Sequence, residues 1–114
     1  MARRKRTFTY EQALALLPEV QRITAGAVEK LEEILSRDEA AGDEIEVPQE
    51  LVPEYQKIVS SWADAVLALG VEVKGLWLVD FDSGAGYYCW RHPEASLEYF
   101  HGYEEGYEGR VKLN

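Results

Sequence analysis

Asp80, Arg91, Glu94, His101 and Arg110 all fall within the last 35 residues of the chain, interleaved with tryptophan and tyrosine. A few polar groups among aromatic walls is the mixture found in pockets for small ligands. The same charges could instead satisfy one another at a sheet edge, as cross-strand pairs do. Arg91 has a planar guanidinium that can reach a carboxylate in bidentate fashion, with Glu94, Glu98 and Asp80 as candidates. His92 and His101 are the only histidines. They sit at opposite ends of one expected hairpin and do not suit a shared metal. His101 is the best single metal candidate: with Glu98, Glu104 or Glu105 it could form a weak site for a hard or borderline divalent ion. Otherwise it packs beside Tyr99. Cys89 has no adjacent lysine to lower its thiol pKa, so structural burial is expected of it. The chain holds no Gly-x-Ser-x-Gly elbow, Walker loop, His-Glu-x-x-His or EF-hand. The glycines between Asp82 and Gly86 read as a hairpin turn.

Thr9 followed by Gln12 has the form of a capping box, which places a helix start near Tyr10. Leu14, Leu17, Val20, Ile23, Ala27, Leu31, Ile34 and Leu35 recur at three- and four-residue spacings, one apolar face of a helix. Pro18 interrupts that pattern, and the expectation is a short helix to Leu17 followed by a longer one from Pro18 to Arg37. The acidic stretch from Asp38 to Val47 reads as an exposed connection. Pro48 and Pro53 favour a second helix start, with Tyr55, Ile58, Val59, Trp62, Val66 and Leu69 as its apolar stripe and Gly70 as its C′ residue. Beyond Gly70 the period changes to two and the residues become aromatic and β-branched. Val71–Val73, Trp77–Phe81, Tyr87–Trp90 and Leu97–Phe100 are the strand candidates, and the tail from Gly102 reads as irregular. The expected fold is α+β: a long antiparallel helical hairpin, with its short leading helix, packed on an antiparallel sheet of three to four strands. A four-residue loop in the last hairpin would set Tyr88, Trp90, Leu97, Tyr99 and His101 on the core face and Tyr87, Cys89, Arg91, Glu98 and Phe100 on the other.

The 114 residues carry a formal charge of −9, and four of the 12 basic residues, Arg3 to Arg6, crowd the start. The remaining eight face 21 acidic residues, so the body repels phosphate and nucleic acid is excluded as the main partner. One domain is expected over residues 1–114: a solvated, disordered basic head over 1–7, a helical part over 8–70, then strands and tail over 71–114. The basic head is followed by Glu11, Gln12 and Pro18 rather than by an apolar core, so no signal peptide is expected. No run of about eighteen apolar residues suggests a membrane span. With a single cysteine, the expectation is a soluble cytoplasmic protein.

FTYEQALALLP, LGVEVKGL, LVDF, CWRHPE, YFH and GYEGR, in that order from Phe8 to Arg110, resemble an uncharacterised bacterial family, domain of unknown function 2203. The resemblance implies a small soluble protein with a helical hairpin followed by strands and no established activity. It marks Glu11, Glu72, Lys74, Asp80, Arg91, Glu94, His101 and Arg110 as matching the family's recurrent polar positions. His92-Pro93 stands where the family usually has Leu-Gly, and Asp82 where it usually has Pro; both fall in turns. Some relatives are labelled as similar to cell-division coiled-coil proteins, but the interrupted hairpin shows no sustained heptads.

Two classes of function follow. The first is a non-catalytic interaction or regulatory module without a cofactor, self-associating as a homodimer because aromatic residues on both sheet faces need cover. The alternative is a small-ligand or divalent-metal binding protein, possibly an enzyme, working through Arg91, Glu94 and His101. No general acid and base stand at a defined spacing, which favours the first. A pocket lined by the turn after Arg91 and the opening helix would favour the second.

Overall fold

A computed structural model describes residues 6–36 and 48–113. Helix α1 runs over Tyr10–Ser36 and α2 over Val52–Ala68, the latter preceded by a 3₁₀ turn at Gln49–Leu51. Strands β1 (Glu72–Gly75), β2 (Leu78–Asp82), β3 (Tyr87–Arg91), β4 (Tyr99–His101) and β5 (Val111–Lys112) form one antiparallel sheet in sequence order. The fold is therefore α+β, with five strands where three to four were expected. The tail contributes the additional strand, β5, and a 3₁₀ turn at Tyr107–Gly109.

The capping box forms as its residues dictate. Gln12 Oε1 accepts from the Thr9 amide at 2.9 Å, and Thr9 Oγ1 accepts from the Gln12 amide at 3.1 Å. The expected break at Pro18 does not occur, because Pro18 lies inside one continuous helix of 27 residues. An interior proline removes one backbone hydrogen bond and costs about 3 kcal/mol. Here Pro18 is exposed, so water can reach the carbonyl it leaves unbonded. Meanwhile Ala13, Leu17, Val20, Ala27 and Leu31 form one buried stripe running past it, and that burial offsets the loss. Gly70 closes α2 at a φ of +85°, as the pattern predicts.

The helices cover one face of the sheet. Leu17, Val20, Trp62, Val66, Val79, Phe81, Trp90 and Leu97 form the core, and the Trp62 indole donates to Thr24 Oγ1 at 2.8 Å. The basic head is tied down at its end: Arg6 Nη1 donates to the Leu69 carbonyl at 2.7 Å, and the buried Phe8 amide donates to the Asp82 carbonyl at 2.7 Å. The rest of the expected head, residues 1–5, and the acidic connection at 38–47 lie outside the described residues. No helix among the described residues is long and apolar enough to cross a membrane.

The register of β4 corrects the expected division of faces. Tyr88 and Trp90 do face the helices, but Tyr87 opposes His101 and Cys89 opposes Tyr99. Tyr99 and His101 therefore share the outer face with Tyr87 and Cys89, while Phe100 lies with Tyr88. The connection from His92 to Glu98 is seven residues long rather than four. It inserts Leu97 into the core as a plug and enters β4 one residue out of the assumed phase. Gly86 permits this pairing, since a Cβ there would lie 2.8 Å from the His101 carbonyl oxygen. The outer face is not bare. The segment from Gly102 to Arg110 folds back over it, with Tyr103 edge-on to Tyr87 and Arg110 over the Tyr99 ring at 4.0 Å. Tyr87 and, in part, Tyr99 are thus covered from within the chain, while Tyr103 and Tyr107 of the covering segment stay exposed.

Candidate functional site

Asp80, on β2, faces Cys89, on β3, in direct register, and His101 on β4 completes the group on the outer face. Strict alternation along each strand sends these three side chains to the side away from the helices. All three are buried, and one ligand-type atom from each lies within 4.8 Å of the others. His101 Nε2 is 2.9 Å from Asp80 Oδ2, while its Nδ1 is 2.9 Å from the Gly102 carbonyl oxygen. A carbonyl oxygen can only accept, so Nδ1 carries a hydrogen. One further proton must then lie between Nε2 and Oδ2, giving either an imidazolium with a carboxylate or a neutral imidazole with a carboxylic acid.

The second Asp80 oxygen, Oδ1, is buried without a hydrogen-bond partner, the one such side-chain atom among the described residues. The Cys89 thiol lies beside the Asp80 carboxyl, but a thiol is only a weak donor. Burial pushes the Asp80 pKa up, and the neighbouring His101 pulls it part of the way back. Burial, reinforced by the Asp80 charge, pushes the Cys89 thiol up to about 12. Cys89 is therefore an inert, protonated thiol at neutral pH unless a cation joins it.

Two ion pairs flank the group. Arg110 Nη1 donates to Glu94 at 2.8 and 3.1 Å, and Glu94 outweighs the burial that would otherwise lower the Arg110 pKa. Lys74 pairs with Glu72 at 3.2 Å, and Glu72 Oε1 also accepts from the Tyr87 hydroxyl at 3.1 Å. Each nearby cation is thus already matched by a carboxylate. Above the trio lies a cavity of about 400 Å³, walled by Lys74, Tyr103 and Tyr107 and rimmed by Glu104 and Glu105.

Of the residues singled out from sequence, Asp80 and His101 are in direct contact, with Glu94 and Arg110 paired beside them. Arg91 stands apart. It is exposed, with its guanidinium 5.5 Å from the Tyr107 ring centre, and its backbone amide rather than its side chain donates to Glu94 Oε1 at 2.9 Å. The expected carboxylate partner of Arg91 is taken by Arg110. Glu98 lines a different cleft of about 540 Å³ between Tyr10 and Leu97, while Glu105 accepts from the Gly102 amide at 2.9 Å. The turn after Arg91 does meet α1, through Gln21 Nε2 and the Ala95 carbonyl at 3.2 Å, but the charged cluster faces the other way. Sequence reasoning assigned Cys89 a purely structural place and missed Tyr103 and Tyr107. The five-residue spacing of the Asp82–Tyr87 turn, which sets Asp80 opposite Cys89, was the signal that could have joined Cys89 to the site.

No curated protein and no solved structure matches the chain. Residues 6–113 match the family described as uncharacterised conserved protein DUF2203, and the polar cluster just described lies inside that match. The chain belongs to the DUF2203 family.

Proposed function

We propose that this protein binds a small ligand in the cavity on the outer sheet face, and that the ligand presents a cationic or hydrogen-donating group to Asp80. The observation that carries this reading is the buried, unpartnered Asp80 Oδ1 at the base of a 400 Å³ cavity. An unsatisfied buried acceptor costs about 1–3 kcal/mol, and a chain with no use for it could replace the group by an apolar one. The clefts between the helices and beside Tyr10 hold no such atom among the described residues. This supports a binding protein over the interaction module, which the lack of an acid and base at a defined spacing favoured. Because Lys74 and Arg110 are matched by Glu72 and Glu94, and Glu104 and Glu105 rim the cavity, an anionic ligand is disfavoured. The thiol on the cavity wall, Cys89, is held protonated by its burial, which supports binding rather than catalysis.

Amide correlation spectra of the ¹⁵N-labelled chain test this directly, with a panel of small amines, amidines and divalent cations as probes. Shifts confined to Lys74, His101 and the Tyr103–Tyr107 segment, and lost in Asp80→Asn, are expected. Shifts elsewhere only, or none from any probe, would overturn the reading.

A further inference from the structure

We infer that Asp80, Cys89 and His101 form a site for one divalent metal ion of the zinc class, with a further coordination position open to the cavity. The inference rests on the binding reading above and names its ligand.

Four features of the structure support it. First, the three side chains come from adjacent strands of one sheet, β2, β3 and β4, a rigid base that fixes their approach. Their ligand atoms lie within 4.8 Å of one another, and tetrahedral coordination at about 2.0–2.3 Å requires separations near 3.5 Å, so the 2.9 Å Nε2–Oδ2 pair must widen and any separation near the upper limit must close by about 1 Å. Second, His101 donates Nδ1–H to the Gly102 carbonyl, which is the outer hydrogen bond that orients a metal-ligating imidazole and leaves the Nε2 lone pair for the ion. Third, Asp80 Oδ1 is buried without a partner, beside the thiol and on the cavity wall.

The fourth feature is charge balance. In the metal-free site the Asp80–His101 pair shares one proton and Cys89 carries its own, so the trio is neutral. A divalent ion bound by carboxylate, thiolate and neutral imidazole is also neutral, and two protons leave to solvent for each ion bound. No net charge is created in a buried place, because each unit of charge on the ion is matched by a proton released. The donor set selects the metal: one sulfur, one nitrogen and one oxygen suit zinc and its neighbours, whereas calcium and magnesium require oxygen. Lys74 and Arg110 oppose the ion only weakly, because each is matched by its own carboxylate, although Arg110 Nη1 also lies 4.0 Å from Cys89 Sγ.

The test uses the full chain stripped by chelator and titrated with Co²⁺ as the probe. A thiolate-to-cobalt charge-transfer band and intense visible bands should grow to one ion per chain and disappear when Zn²⁺ is added. Cys89→Ser should abolish the charge-transfer band and weaken uptake by at least about tenfold, while His92→Ala should change neither. In case Cys89→Ser does not fold, Zn²⁺ should also protect Cys89 of the unaltered chain from alkylation under mild denaturant. Buffers of different ionisation heat should report two protons released per Zn²⁺. Failure to take up Co²⁺, uptake unchanged by Cys89→Ser, or no protection of Cys89 would each overturn the inference. Amide shifts at Lys74 and Tyr103–Tyr107 from an amine or amidine in the presence of chelator would then leave the binding reading standing without the metal.

Discussion

On the face of the sheet turned to the helices, Val79, Phe81 and Trp90 are buried to 0–1% exposure among uncharged side chains. On the opposite face Asp80, Cys89 and His101 are buried to 1–4% beneath one short segment that follows β4. The two sets of side chains are about equally buried, yet only the first gains the free energy of apolar burial. The second buries a carboxyl, an imidazole and a thiol, and leaves one oxygen unpartnered. Such an arrangement contributes little to folding and is retained where the polar groups have something to bind. On the proposed reading the inner face is scaffold and the outer face is the site.

That contrast breaks first where the scaffold is cut. Trp90→Ala removes a fully buried indole and the hydrogen bond from its Nε1 to the Glu94 carbonyl at 2.8 Å. A loss of about 3–5 kcal/mol is expected, with a fall in Tm of more than about 10 °C in calorimetry. Next in size is Glu94→Gln at the border of the two regions. It weakens a charge-assisted pair in which Arg110 is only 11% exposed, and urea titration should show a loss of about 1–3 kcal/mol. Arg91→Ala serves as its counterpart: Arg91 is exposed over Tyr107, so its removal should stay within about 0.5 kcal/mol. A larger loss from Arg91→Ala than from Glu94→Gln would contradict the pairing described.

The covering segment offers a pH-dependent probe. Tyr103 donates to Asp82 Oδ1 at 2.6 Å, and that bond, with burial and the Asp82 charge behind it, pushes the phenol pKa up to about 12. The folded value lies above the unfolded one of about 10, so the contribution is complete below pH 10 and is lost as pH rises through 12. Ultraviolet titration should find one late tyrosine, and Asp82→Asn should return it towards 10. If every tyrosine titrates near 10 in the folded chain, Tyr103 does not hold the segment down.

The same division governs what could be read from the chain. Helix limits were legible because their causes are local: the Thr9–Gln12 box, the apolar stripe and the left-handed Gly70 each act within a few residues. Pro18 misled because a local penalty was overridden by burial along the whole of α1. The outer face was harder to read, since its composition depends on register, and register depends on a seven-residue connection whose Leu97 is fixed by the core rather than by turn chemistry. Asp80, Glu94, His101 and Arg110 stood out as polar residues among aromatics, but their partners did not. Cys89 passed as an ordinary strand residue because the signal that sets Asp80 across from it lies in the length of the Asp82–Tyr87 turn rather than beside Cys89. The segment from Gly102 to Arg110 reads as irregular, and its role as cover appears only once the sheet is assembled.

Among the buried positions, the smallest expected effect is the most direct test of the division into scaffold and site. Asp80→Asn keeps the shape of the side chain, and its amide can donate to the free Nε2 of a neutral His101, so the shared proton is no longer needed. If the outer face is held for a ligand, chemical denaturation of Asp80→Asn in metal-free buffer should give a stability within about 1 kcal/mol of the unaltered chain, or above it. A loss of about 3–5 kcal/mol, the cost of breaking a buried ion pair that the fold depends on, would contradict this and make Asp80 and His101 part of the scaffold.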